Sequence, residues 1–198
     1  MPKRVAIFDY DHTLILGDSF WAFLIAASGR VATGVALAAV LGSYMLNRAQ
    51  NKTVDNLRTF VKSALLKRLI AGRRLDMLES AAQTARRWQK ENAPLMQVLR
   101  DHHAQGDTIV VASGGLNLYL PELLRDIPHN ALICTDIGVT NGIVTGIMVN
   151  GNCVRQRKAE RVGEWLAANG PFDESFGYGN YPHDVPMLNL VKHRIIVS

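Results

Sequence analysis

Cysteine is scarce in this chain: Cys134 and Cys153 are the only two among 198 residues. Neither sits in a CxxC pair, and no HxxxH accompanies them, so the usual zinc-ligand spacings are missing. Long apolar runs near the start are missing too. Only residues 5–8 are apolar between the basic N-terminus and Asp9, too few for the hydrophobic region of a signal peptide. The expectation is a cytoplasmic protein whose two thiols are reduced and structural. No GxGxxG follows the first apolar run, which disfavours a dinucleotide-binding dehydrogenase. No zinc-finger spacing and no Lys/Arg run interleaved with aromatics points to nucleic acid. Repeats, low-complexity segments and Pro/Gly/Ser linkers are also lacking, so one sizeable core with a small appended module is expected.

What is present is a modest excess of positive charge, +5, which suits either anionic partners or a solvated surface. Residues 4–8 read as a buried parallel strand. Residues 108–113 read as a second, 131–135 as a third, 176–179 as a fourth and 193–198 as a fifth. Helices are expected near 117–126, over 155–169 and from about Asp184. Residues 138–149 alternate around Asn141-Gly142, a hairpin signal. Residues 18 to about 104 hold no convincing strand and read as several helices. Buried strands alternating with helices imply an α/β fold, a Rossmann-like doubly wound parallel sheet. The long helical stretch is then a helical cap inserted after strand 1. The expected boundaries are 1–15 and 93–198 for the core and 16–92 for the cap.

In such sheets ligands bind at the carboxyl ends of the strands. Asp9 and Asp11 fall there after strand one, Ser113 after strand two, and Asn180 and Asp184 after strand four. Lys158 falls at the start of a late helix. Two acids spaced i, i+2 at an exposed strand end can divide the work, one attacking or holding a metal and the other trading protons.

Four segments together resemble the haloacid dehalogenase superfamily in its phosphoserine-phosphatase-like branch (subfamily IB). They are Phe8-Asp9-Tyr10-Asp11-His12-Thr13-Leu14, Val111-Ala112-Ser113-Gly114-Gly115, Lys158, and Gly179-Asn180-Tyr181-Pro182-His183-Asp184-Val185-Pro186-Met187-Leu188. The likeness runs in order along nearly the whole chain. It implies a Mg2+-dependent phosphomonoester phosphatase acting on a phosphorylated small molecule through an aspartyl-phosphate. Asp9 is then the nucleophile and Asp11 the general acid and base, and Thr13 helps hold the loop. Ser113, Gly114 and Lys158 hold the phosphate. Asp9, Asp11, Asn180 and Asp184 form the metal site, Asp11 through its backbone carbonyl.

Two positions depart from the family pattern. His12 stands where glycine is usual, either as a surface variant or reaching the phosphate or leaving group. Asn180 stands where a metal-binding aspartate is usual. An amide oxygen still ligates Mg2+, with one negative charge less. That loss keeps open a catalytically weak phosphate-binding or regulatory protein.

Asp18 has two readings. The resemblance implies contact with a substrate amine, and helix chemistry implies an N-cap ahead of Ser19. Residues 31–47 carry no charge and read first as a buried cap helix. With Lys52, Arg58, Lys62, Lys67, Arg68, Arg73 and Arg74 following, they also resemble an interfacial element. A membrane-surface lipid-phosphate phosphatase, in peripheral contact with membrane through the cap, is the alternative substrate reading.

Overall fold

The computed structural model describes residues 3–49 and 57–197. The first strand, β1 (Arg4–Phe8), is fully buried from Val5 to Phe8. A strand covered on both faces must be apolar at every position, not every second one, and its side chains then divide between two cores. Ala6 and Phe8 pack with Ile109 and Val111, while Val5 and Ile7 pack with Val110 and Ala112 on the opposite face. β2 (Thr108–Leu116) and β6 (Glu174–Asn180) flank β1, and β3 (Ala131–Thr135) and β7 (His193–Val197) lie outside them. All pairs are parallel, giving a five-stranded sheet of order β3-β2-β1-β6-β7. The chain builds outward from β1 on one side and then returns to build on the other, so the doubly wound α/β sheet switches direction beside β1. A crevice opens at the carboxyl ends of strands at such a point. α5 (Ala93–Ala104) covers the first face through Leu95, Met96 and Leu99. α7 (Arg155–Asn169) and α8 (Val185–Leu188) cover the second through Ala159, Val162, Met187 and Leu188.

Four helices lie between β1 and β2: α1 (Ser19–Ser28), α2 (Arg30–Ala49), α3 (Leu57–Leu69) and α4 (Leu75–Trp88). The two crossings that join them to the sheet run side by side. The Leu16 amide donates to the Lys90 carbonyl at 2.8 Å and the Asn92 amide to the Leu14 carbonyl at 2.9 Å. The hairpin β4 (Ile137–Thr140) and β5 (Ile143–Met148) turns at Asn141-Gly142, both at positive φ (51° and 75°), the geometry that Asn-Gly favours. The hairpin leaves the main sheet and packs on α3, where a Cβ on Gly146 would lie 3.1 Å from the Leu66 carbonyl oxygen.

Two expectations need correction. The helix expected near 117–126 shrinks to α6 (Leu120–Leu123). Pro121 lacks an amide and fits only a first turn. Upstream, the Asn117 side chain is tied to the Ile137 backbone, accepting from its N–H at 2.9 Å. The uncharged segment in α2 is not a buried helix. Thr33, Ala36 and Val40 are buried, whereas Val31, Val35 and Met45 are 81%, 66% and 65% exposed. At helical spacing a single stripe meets the neighbouring helices, and a lack of charge on the other side does not bury it. Lys52 and Ser198 lie outside the described residues. Among the described residues no single helix is long and apolar enough to cross a membrane. α1 and residues 30–46 pass that test only together, bent by 116°.

Candidate active site

β1 delivers Asp9 to the carboxyl edge, where the Asp9 amide donates to the Tyr178 carbonyl of β6 at 2.9 Å. The Asp9 side chain is buried. Its Oδ2 accepts from Thr13 Oγ1 at 2.9 Å and from Asn180 Nδ2 at 3.3 Å, and its Oδ1 accepts from Lys158 Nζ at 2.6 Å. Burial pushes its pKa up against the opposing charge of Lys158. The loop then turns tightly, with Ile15 N–H donating to the Tyr10 carbonyl at 3.1 Å. His12 sits in that turn at φ 57° with its side chain exposed. The left-handed conformation is one that glycine adopts freely and histidine tolerates.

Asp11 is held from two directions. The Ser19 amide, first in α1, donates to its Oδ1 at 2.6 Å, and Ser113 Oγ lies 3.4 Å from its Oδ2. Burial pushes the Asp11 carboxyl up to about 7, with the Asp18 and Asp9 charges adding. Asp18 itself caps α1, accepting from the Phe20 and Trp21 amides at 3.0 and 3.3 Å. One of its carboxylate oxygens is thus committed to the helix end.

Ser113 is fully buried at the end of β2, and its Oγ accepts from the Gly115 amide at 2.9 Å. Both following glycines are closely packed by neighbouring side chains. A Cβ on Gly114 would lie 2.8 Å from Val154 Cγ1, and one on Gly115 2.7 Å from Leu120 Cδ1. Lys158 is the one basic residue of the Arg155–Arg161 run that α7 buries. Its Nζ lies 2.6 Å from Asp9 Oδ1 and 2.7 Å from Asp184 Oδ1. Burial disfavours its charge, but the two carboxylates outweigh burial and hold its pKa above the usual lysine value. Asp184 Oδ2 accepts from the Asn180 amide at 2.9 Å. Gly179 allows that approach, because a Cβ there would sit 2.7 Å from the Asp184 Cβ. The Asn180 side chain points Nδ2 at both Asp9 Oδ2 and the Asp11 carbonyl, 3.3 Å from each.

Asp9, Asp11, Ser113, Lys158, Asn180 and Asp184 therefore converge from separate segments of the chain. His12 and Asp18 lie beside them, with Asp18 occupied as a cap. Both oxygens of Asp184 are engaged, one by Lys158 and one by the Asn180 backbone. Among the described residues no three His, Cys, Asp or Glu side chains cluster as a metal site, so any cation here would need the Asn180 amide and backbone oxygen. The sequence placed Lys62 of α3 among the basic residues of an interfacial element, but the structure buries it, with Nζ donating to the Gly114 carbonyl and, at 2.9 Å, to Asn152 Oδ1. The available signal was helical phase: Leu65 and Leu66, three and four residues on, are buried on the same face.

A parallel doubly wound sheet with two acids after its first strand, and serine and lysine facing them, defines a class of hydrolase. Residues 6–189 match the family model of the haloacid dehalogenase-like hydrolases, and the chain belongs to that family. A histidinol-phosphatase from Neisseria meningitidis serogroup C (strain 8013) is 26% identical, over 99% of this chain and 90% of that protein. A solved structure of a protein of unknown function from Bordetella pertussis Tohama I is 25% identical with a TM-score of 0.80, covering 99% of this chain and 90% of the other. A substrate-bound phosphoserine phosphatase shares the fold at a TM-score of 0.62 and 15% identity, covering 99% of this chain and 86% of the other.

Proposed function

We propose that this hydrolase is a phosphoric monoester hydrolase acting on a small phosphorylated metabolite through a phosphorylated Asp9. The observation that carries the reading is the pairing of Asp9 with Lys158 and of Asp11 with Ser113, joined by Asn180, which reaches both Asp9 and the Asp11 carbonyl. Binding phosphate alone needs no pair of acids at the end of one strand. The Asp9 carboxylate attacks phosphorus as the ester P–O bond breaks, and Asp11 gives its proton to the departing alkoxide. Water then attacks the aspartyl-phosphate as Asp11 takes a proton back, releasing orthophosphate and restoring Asp9. A carboxyl lifted to about 7 suits both transfers near neutrality. Ser113, the Gly114 amide and Lys158 hold the phosphoryl oxygens and spread their charge.

The donor chemistry fits a hard cation. Asp9 Oδ2, the Asp11 carbonyl and the Asn180 amide already meet at one point, and a half-turn of the amide puts its oxygen there. These three would hold Mg2+, with Asp184 orienting them; the ion would offset repulsion between phosphate and carboxylate. Residues 16–92 act as the cap over a core of 1–15 and 93–198, joined by the paired crossings at 14–16 and 90–92. The histidinol-phosphatase likeness supports a small phosphorylated substrate. The test is phosphate release from a panel including histidinol phosphate and phosphoserine, with and without Mg2+, for wild type and Asp9→Asn. Metal-dependent release lost in the variant supports the reading, and release retained in the variant rejects it.

α2 favours a second reading, a phosphate presented at an anionic lipid surface. Val31, Val35 and Ala39 line an apolar groove beside Arg30 and Arg68, and residues 19–54 contain no Asp or Glu. An apolar strip with positive flanks and no acid suits an anionic bilayer. Sedimentation with anionic but not neutral vesicles, lost in Val35→Asp, supports this reading; equal recovery in the supernatant with both removes it.

A further inference from the structure

We propose that Lys62 is a positioning residue whose ammonium, delivered by the inserted helix α3, fixes the Gly114–Gly115 peptide and through it aims the Ser113 hydroxyl at the reacting phosphoryl group. The inference rests on the phosphatase reading for its consequence in turnover, but its geometry stands independently. Lys62 Nζ donates to the Gly114 carbonyl, and Thr135 Oγ1 lies 2.9 Å from the same oxygen. That carbonyl belongs to the peptide whose N–H is the Gly115 amide. A trans peptide is planar, so pinning its oxygen sets the direction of its N–H. The Gly115 N–H meets Ser113 Oγ at 2.9 Å, and with that acceptor direction filled, the Ser113 proton is left for Asp11 Oδ2 at 3.4 Å or for a phosphoryl oxygen. A cation on the carbonyl also polarises the peptide and strengthens the donation at its other end.

Stability alone does not account for Lys62. The residue is 8% exposed, and among the described residues its bonded partners are two neutral oxygens, with the Phe20 ring 5.3 Å away. Burying an ammonium without a bonded carboxylate is costly, and an apolar side chain of similar length would cost less. Burial pushes its pKa down to about 8, opposed by Asp11 and Asp18 and then by Cys153 and Cys134 on the facing segments. The network extends through Asn152, whose Oδ1 accepts from Lys62 and whose Nδ2 donates to Thr59 Oγ1 at 3.2 Å. The inserted helices thereby report directly to the phosphate-binding loop.

The test follows the Gly115 amide resonance through a pH titration, alongside turnover on the phosphomonoester panel, in wild type, Lys62→Met and Asn152→Asp. In wild type the resonance shifts with a midpoint near 8. It does not titrate there in Lys62→Met. Asn152→Asp places a carboxylate beside the ammonium, favours its charged form and moves the midpoint to higher pH. On turnover, Lys62→Met lowers kcat by roughly 10- to 100-fold, the usual cost of losing an orienting partner, with a smaller change in KM. The alkaline fall of kcat follows the amide midpoint in Asn152→Asp. An amide that titrates identically in all three proteins, or a kcat unchanged in Lys62→Met, overturns the proposal. Wild-type protein that hydrolyses no phosphomonoester while its Gly115 amide follows Lys62 rejects the phosphatase reading and upholds the linkage. If Lys62→Met does not fold, the direction of the shift in Asn152→Asp decides.

Discussion

The Lys158 ammonium nitrogen lies 2.6 Å from the Asp9 carboxylate, and both side chains are only 5% exposed. With Asp184 Oδ1 at 2.7 Å on the other side, one cation serves two carboxylates. The lysine thus belongs to the folded state's electrostatics before any substrate arrives, and removing it leaves two buried acids without their shared cation. Lys158→Met should lower stability by about 3–5 kcal/mol at neutral pH, the range for breaking a buried pair, as read by urea unfolding. The deficit should shrink as pH falls and the stranded Asp9 carboxyl, whose pKa burial already pushes up, takes up a proton. A deficit independent of pH would place its cause in packing.

Asn180 supplies an amide to the proposed metal site, where the resemblance leads to the expectation of a carboxylate. Asn180→Asp restores one negative charge at the point where Asp9 Oδ2 and the Asp11 carbonyl converge. The Mg2+ concentration giving half-maximal activity should fall by about tenfold or more, the usual scale for changing a metal-site partner. An unchanged or raised requirement places Asn180 outside the metal site.

Asp11 sets a pH dependence of stability whose sign is opposite to that of a typical surface carboxylate. Its folded pKa of about 7 is above its unfolded value near 3.9. The unfolded chain therefore loses the proton first as pH rises, and stability from this group declines between about pH 4 and 7. In metal-free protein, Asp11→Asn should match wild type near pH 4 and exceed it by on the order of 2 kcal/mol at pH 8, while turnover is lost. Thermal melts at the two pH values measure it; an equal difference at both contradicts the assignment.

His102 of α5 offers a contrast on the central strands β1 and β6. It bridges Asp107, 2.6 Å from Nδ1, and the Tyr178 hydroxyl, 2.8 Å from Nε2, with Arg4 3.1 Å from Asp107. An Asp, His and Tyr in line resemble catalytic machinery. Here they are buried beside Phe8 and Phe176, where they join α5 to the sheet. His102→Leu should destabilise by about 2–4 kcal/mol through the unpaired polar groups it leaves, with kcat unchanged in the fraction that remains folded. A selective loss of kcat would contradict a structural role.

The legible parts of this chain were those governed by local rules. β1 and its two acids stand out because a strand buried on both faces is uniformly apolar and ends abruptly in charge. The Asn141-Gly142 hairpin follows from turn chemistry, and Asp18 from capping. Lys158 was legible only through the motifs around it, because its neighbour Arg157 in the same basic run stays exposed. What escaped depended on direction in space. Lys62 is one basic residue among several in α3 and looks solvated until its face is known. The segment in α2 carried no charge, yet only one stripe of it meets the neighbouring helices, and Val31, Val35 and Met45 stay at the surface.

The most direct test of the central claim is to quench a single turnover in acid, digest the protein and look by mass spectrometry for one phosphoryl group on the peptide carrying Asp9. The substrate is whichever panel member is hydrolysed fastest with Mg2+. The account predicts that peptide in wild type and its absence in Asp9→Asn, with solvent oxygen appearing in the released phosphate. Turnover by wild type with Asp9 unmodified at every quench time, together with undiminished turnover by Asp9→Asn, would contradict it.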